Sequence, residues 1–236
     1  MGSNSINTRR SFLAKAFNTG ILATVASSTL LSSLVNAMAE VPAELPLGQS
    51  IYSFEGEVTV DDILITQSNM TKTVIRANSV VITGQSSWIM FAIGKDAHHL
   101  RENSHLALES TGIFEEAMRL LTGSVLSVFA KRKPTETQFK MHTTTATVGI
   151  RGTAVYAESD TALNRSYVCT CYGEVDVSAI ADPSISENIK SAHHDNPRYI
   201  YADKSQGDII QPAPMKNHAD AELSLIEAIV GRTTPF

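Results

Sequence analysis

The chain lacks most of the features that announce a function. Its 19 Lys and Arg stand against 24 Asp and Glu, a net charge of −5. With no cationic excess to neutralise phosphates, nucleic acid is not an expected partner. Only two cysteines occur in 236 residues. A chain this long can bury a sizeable core in one large or two small domains, so disulfide stapling is not needed. No apolar run reaches the roughly 18 residues of a spanning helix. Also missing are Cys-x-x-Cys-His, the Gly-x-Ser-x-Gly elbow, a phosphate-binding Gly-Lys-Ser/Thr loop and His-Glu-x-x-His. The paired acids Asp61-Asp62 and Glu115-Glu116 fall in an expected turn and on an expected solvated helix face, weak settings for acid–base work. The expectation is a non-enzymatic protein of ordinary globular composition, 43% hydrophobic and 6% aromatic.

What is present begins with an address. Arg9-Arg10-Ser11-Phe12-Leu13 precedes a mildly apolar stretch from Gly20 to Val35, and Ala37-Met38-Ala39 follows as a small-x-small site. Residues 1–39 therefore read as a twin-arginine signal peptide cleaved after Ala39. Cleavage would remove Arg9, Arg10 and Lys15 and no acid, taking the net charge from −5 to −8. The expected mature protein is a soluble, acidic, periplasmic domain without a membrane span.

From Gln49 to Val177 short β-branched and aromatic runs alternate with turn residues, the pattern of an all-β sandwich, barrel or solenoid. Expected strands include 57–60, 63–65, 73–76, 79–83, 87–93 and 124–129. Gly112 to Leu121 is spaced closer to helical periodicity, and Lys131-Arg132-Lys133-Pro134 reads as a solvated basic turn. Residues 181–214 are polar, with one expected strand at 198–201. From Asn217, a good N-cap, an amphipathic helix of about thirteen residues is expected to run to Gly231 and dock on the sheet.

The run from Phe139 to Tyr156, with Ala146-Thr147-Val148-Gly149-Ile150-Arg151-Gly152-Thr153-Ala154-Val155-Tyr156 at its centre, resembles the signature of the FecR-type domain. Tyr172-Gly173-Glu174-Val175, Gly123-Ser124-Val125-Leu126 and Ile82-Thr83-Gly84 fit the same pattern. The resemblance covers about 48–177. It implies an all-β, solenoid-like or sandwich periplasmic module of the kind used in iron-siderophore signalling. The expected organisation is thus a signal peptide over 1–39, a FecR-type β domain over 40–180, and a polar extension with a C-terminal helix over 181–236. The family's signalling members carry a cytoplasmic sigma-factor regulator and a transmembrane helix where this chain has a signal peptide, so direct control of a sigma factor is not expected. Arg151, Gly152 and Thr153 are read as structural: Gly152 for a close backbone approach or positive φ at a corner, Arg151 pairing with Glu158 or Glu174.

One constellation carries chemistry. Cys169-Thr170-Cys171 lies in an expected strand, where residues two apart share a face. A disulfide between them would be strained, whereas a bulge before Gly173 would bring the sulfurs to the separation of a shared metal ion. His193-His194-Asp195 follows in the polar segment, and His218-Ala219-Asp220 opens the helix. Two thiolates and two imidazoles suffice for tetrahedral zinc, and the soft donors also suit copper. The ligand set read from the sequence is Cys169, Cys171, His193 and His194. Adjacent histidines on an extended chain point apart, so only one reaches the ion unless the backbone turns. A second pair, His98-His99, expected in a turn, shows that His-His alone is weak evidence. Three functions follow in order: a periplasmic, non-catalytic binding or sensing role in the cell envelope, metal- or iron-related; an interaction module for an envelope protein partner without metal; and a Cys-x-Cys redox protein. The last is disfavoured because no basic residue lies close in sequence to lower a thiol pKa.

Overall fold

The computed structural model describes residues 45, 48–110, 116–132 and 138–236. The expected signal peptide, residues 112–115 and Lys133-Pro134 lie outside them. Among the described residues the chain forms fifteen strands and one helix, the all-β fold with a C-terminal helix that the sequence predicts.

The strands form two sheets that share two members. The first runs β1 (Ile51–Glu55), β5 (Trp88–Ile93), β6 (Asp96–Leu100), the second half of β8 (Glu116–Val128), β11 (Ala154–Asp160), the first half of β12 (Arg165–Ala179), β14 (Arg198–Tyr201) and β15 (Ile210–Pro212), all antiparallel. The second runs β3 (Ile63–Leu64), β2 (Val58–Val60), β4 (Val80–Thr83), β7 (His105–Ser110), the first half of β8, β9 (Phe139–His142), β10 (Ala146–Ile150), the second half of β12 and β13 (Ser186–Ser191). Among the described residues only β8 and β9 run parallel. The sheet does not stop at residue 180, since β13 and β14 both pair with β12.

Both shared strands change sheets at a glycine with positive φ, Gly123 (+84°) in β8 and Gly173 (+89°) in β12. Corners of this kind let one strand serve two sheets. The chain also crosses between sheets from β10 to β11, through Arg151-Gly152-Thr153. Gly152 has φ +110°, and a Cβ there would lie 2.4 Å from the Lys131 Cα. Positive φ and close approach are thus both present, as the motif implies. Thr153 is buried and donates its hydroxyl to the Tyr172 carbonyl. Arg151 does not reach Glu158 or Glu174; it lies 3.5 Å from Asp176, in the solvent.

Strand alternation sorts the first sheet's side chains into two layers. Ile89, Leu100, Val125, Ala157 and Val168, in register across five strands, join a hydrophobic cluster that also takes Val81, Leu106, Met118, Val148 and Val177 from the second sheet. The next row, Met90, His99, Leu126, Tyr156 and Cys169, faces the other way. Helix α1 (Asp220–Ile229) lies on this side, against β6 and β8, and buries Leu223, Ile226 and Ile229. Each such side chain contributes about 1.5–3 kcal/mol when fully buried.

Four expectations differ locally. Residues 116–121 are strand, not helix: Met118 and Leu120 turn inward while Leu121 is exposed, a two-residue period enforced by β7 on one side and β9 on the other. Residues 73–76 form no strand, although Ile75 is buried in the core. His98 and His99 lie inside β6 rather than in a turn. The helix starts at Asp220, with Ala219 as N-cap and its N–H bonded to the Glu222 carboxylate at 3.0 Å. Asn217 instead donates its side-chain amide to Glu158 at 2.7 Å.

Gly152→Ala would force a Cβ into the Lys131 backbone and hold alanine at positive φ. We expect a loss of about 2–4 kcal/mol, from roughly 1–2 for the conformation and 1–3 for overpacking, read from the urea midpoint by circular dichroism. A midpoint equal to wild type would show that the corner tolerates a side chain.

Candidate metal centre

Beneath the helix side of the first sheet, four donor side chains converge. The register of β11 against β12 slips between Ala154↔Tyr172 and Val155↔Thr170, leaving Cys171 as the extra, bulged residue. The bulge lies just before Gly173, the position at which the sequence allows one. Cys169 and Cys171 are both fully buried, as free thiols.

The histidines arrive from two other segments. After β13 the chain turns sharply: Asp195 accepts the Ala192 and His193 N–H groups at 2.8 and 3.1 Å, and its own N–H bonds the Ser191 hydroxyl at 3.0 Å. These backbone hydrogen bonds hold the Asp195 carboxyl below its ordinary pKa. The turn puts His194 at φ +54° and aims its N–H at the Cys171 carbonyl, 2.9 Å away. His218 sits on the leader to α1. That leader is pinned by Glu158, which takes Lys216 Nζ at 2.5 Å and Asn217 Nδ2 at 2.7 Å, and by the Tyr167 hydroxyl, which donates to the Pro214 carbonyl at 3.0 Å. Burial opposes ionisation of Glu158, but Lys216, Asn217 and Tyr156 outweigh it and lower its pKa. The His218 ring stacks on Tyr156, centroids 4.5 Å apart.

One ligand atom from each of Cys169, Cys171, His194 and His218 lies within 4.8 Å of every other. Cys169 Sγ is 3.6 Å from His194 Nδ1, which is 2.9 Å from His218 Nε2. Bonds of about 2.3 Å to sulfur and 2.0 Å to nitrogen imply tetrahedral edges of about 3.5 Å for S···N and 3.3 Å for N···N. The cluster is close to those dimensions. Each histidine's other nitrogen is held: His218 Nδ1 donates to the Lys216 carbonyl at 2.7 Å, and His194 Nε2 to Asp220 at 3.1 Å. Outer partners of this kind fix the tautomer and ring orientation of metal-bound histidines.

Without an ion the same groups form a polar chain. Cys169 is held below the ordinary thiol pKa, chiefly by its hydrogen bond from Cys171 and then by His194 and His218, against the opposing effect of burial. Burial pushes the Cys171 thiol up. Burial would lower His194, but the Cys169 sulfur and Asp220 outweigh it and raise its pKa. The basic neighbour missing near Cys169 in sequence is thus supplied by the fold.

His193 is the predicted ligand that does not join the four. Its side chain is 51% exposed, against 4% for His194, and its Nε2 faces Asp220. The backbone turn at His194 brings both rings to Asp220, centroids 5.0 Å apart, but only His194 also reaches the sulfur of Cys169. His218 takes the remaining position. Its sequence signal, a histidine opening the closing helix, was visible, but the contact with β12 is not a spacing that sequence displays.

No family model and no curated protein matches the chain, so the FecR-type resemblance rests on its motif residues. Among solved structures, the chain is similar to two crystal structures of a candidate anti-sigma factor from Parabacteroides distasonis ATCC 8503, at 2.50 and 1.65 Å resolution. Each is 10% identical with a TM-score of 0.47 and covers 57% of this chain and 58% of that one. The match thus spans little more than half of either protein. Among the described residues, no helix is long and apolar enough to cross a membrane.

The other histidine pair supplies a contrast. His98 and His99 are buried in β6, and desolvation lowers their pKa values from 6.5 to about 4 and about 3. The folded state therefore refuses protons that the unfolded chain accepts below pH 6.5. Their stabilisation is full above that pH and is lost as pH falls toward the folded values, by about 1.4 kcal/mol per pH unit for each histidine. His98→Gln should remove one histidine's share of that slope between pH 6 and 4.5, by urea unfolding at about ten pH values. An unchanged slope would mean that His98 is protonated in the native state.

Proposed function

We propose that this protein is an exported, non-catalytic metal-binding module of the cell envelope with a sensing or regulatory role, its ion held by Cys169, Cys171, His194 and His218. The observation that carries the reading is the convergence of four buried donors from three chain segments, with the outward nitrogen of each histidine already bonded. Zinc is the first candidate for a closed shell of two thiolates and two imidazoles, with copper as the soft-metal alternative. A shell filled by protein leaves no position for substrate, which argues for binding over catalysis. The twin-arginine pattern and the FecR-type motif support a periplasmic location and a sensing context.

An ion there would tie β12, the 191–195 turn and the leader of α1 together. Metal occupancy would thereby set how firmly the helix is held on the sheet, a means of converting ion concentration into a surface change. The rival reading, an interaction module for an envelope partner without metal, is favoured by the ion-free hydrogen-bond chain from Cys171 through Cys169 and His194 to His218.

The test is elemental analysis with a free-thiol count on protein purified from the periplasm without chelators. About one equivalent of metal per chain is expected, falling to background in a Cys169→Ser/Cys171→Ser variant. His218→Ala should weaken binding by more than the roughly 10–100-fold typical of an outer-shell change. Metal-free protein whose stability and partner binding are unaffected by the double variant would leave the interaction module standing.

A further inference from the structure

A second set of donors lies on the solvent side of His194, outside the four-ligand shell. His193 Nε2 is 3.0 Å from both Asp220 oxygens, and His194 Nε2 is 3.1 Å from Asp220 Oδ1. One ligand atom from each of the three residues lies within 4.8 Å of the others. The exposed His193 ring is packed against Phe236, centroids 4.2 Å apart, so its plane is oriented although half its surface is free. An ion with octahedral angles and bonds of about 2.0–2.2 Å to nitrogen and oxygen needs N···O edges of about 2.8–3.1 Å. The observed separations fall in that range.

The geometry points to a second, outer cation site formed by His193, His194 and Asp220, sharing the His194 imidazole with the inner shell. This inference rests on the proposed inner centre and extends it to a pair of ions. Two imidazoles and one carboxylate, with the remaining positions open to water, suit a borderline divalent transition-metal ion rather than magnesium or calcium. With the inner ion on Nδ1, the outer ion replaces the Nε2 proton of His194, which leaves to solvent, and the ring becomes a bridge. The two sites differ in kind. The inner one is buried and rich in sulfur; the outer one is exposed, free of sulfur and built for exchange. An ion arriving from solvent meets His193 and Asp220 first, and His194 is the only ligand common to both shells. The outer set is therefore placed as the loading position through which the buried shell exchanges its metal.

The probe is Co2+ alone, titrated anaerobically into metal-free, reduced, full-length mature protein. Sulfur-to-cobalt charge-transfer absorption reports the inner shell, and total bound cobalt after equilibrium dialysis reports both. Wild type should saturate the sulfur band at one equivalent while binding about two, and His193→Ala should keep the sulfur band, bind about one, and load the inner shell at least several-fold more slowly. Asp220→Asn provides a second variant, with circular dichroism to show that each is folded. A sulfur band with only one ion bound in wild type, and unchanged loading in His193→Ala, would overturn the outer site and leave the inner centre intact. No sulfur band at any cobalt concentration would overturn the inner centre and, with it, the shared pair.

Discussion

The double duty of β12 is the constraint on which the rest of the structure depends. Its first half pairs with β11 and β14 in one sheet, and its second half with β10 and β13 in the other. A strand cannot change sheets without a local break in its pleat, and here the break is made by two adjacent irregularities, the bulge at Cys171 and the positive φ of Gly173. A bulge leaves a residue unpaired and re-aims its side chain. The device that lets the sheets share a strand is therefore also the device that turns the second sulfur toward the first. The Arg151-Gly152-Thr153 corner lies directly against it, since Thr153 bonds the Tyr172 carbonyl and would meet any side chain placed at Gly173. This explains why the most specific sequence motif carries no chemistry of its own: it shapes the corner beside which the donors gather.

The layer between the first sheet and α1 is more polar than the layer between the sheets. It holds His99, His218, Cys169, Cys171 and Glu227, all buried. Burying such groups is costly unless each finds a partner, and two histidines, His98 and His194, meet that demand in opposite ways. His98 sits between Phe91 and Phe129, bonds Ser127, and stays neutral. His194 lies between a thiol held low and a carboxylate, which together raise its pKa against the effect of burial. Glu227 is accommodated in the same manner, through Tyr172 and Arg232. The helix is thus anchored by apolar residues on β6 and β8 and by polar ones along β12.

Much of this was legible in the sequence. The strands at 80–83, 88–93 and 198–201, the closing helix, the shared face of Cys169 and Cys171 and the need for a bulge all follow from alternation, turn residues and strand geometry. Three of the misreadings share one cause, contacts at long range. Ala117 and Leu121 completed a helical pattern at 112–121, but the neighbouring strands on both sides impose a period of two. Asn217 has the chemistry of an N-cap, yet Glu158, 59 residues away, takes its side chain. His218 reaches the sulfurs because Tyr167 and Glu158 pin its leader, contacts that no local spacing encodes.

The origin of the four donors decides what an ion there can do. Two come from a strand paired there with β11, one from a turn closed by Asp195, and one from a leader fixed mainly by side-chain hydrogen bonds and by the stack of His218 on Tyr156. The strand is held by its ladder and the turn is tied to it by the His194 N–H on the Cys171 carbonyl; the leader's backbone bond, from Ala213 to Pro197, lies five residues before His218. Binding free energy at such a site is expressed as stabilisation of whatever the ion must order. It therefore falls mainly on the leader and on the helix that follows. A site whose ligands all lay on rigid strands would bind more simply and change nothing on release. With its fourth donor drawn from the approach to α1, an ion bound here would couple occupancy to the segment that covers the sheet, the property that the proposed sensing role requires and a purely structural ion does not.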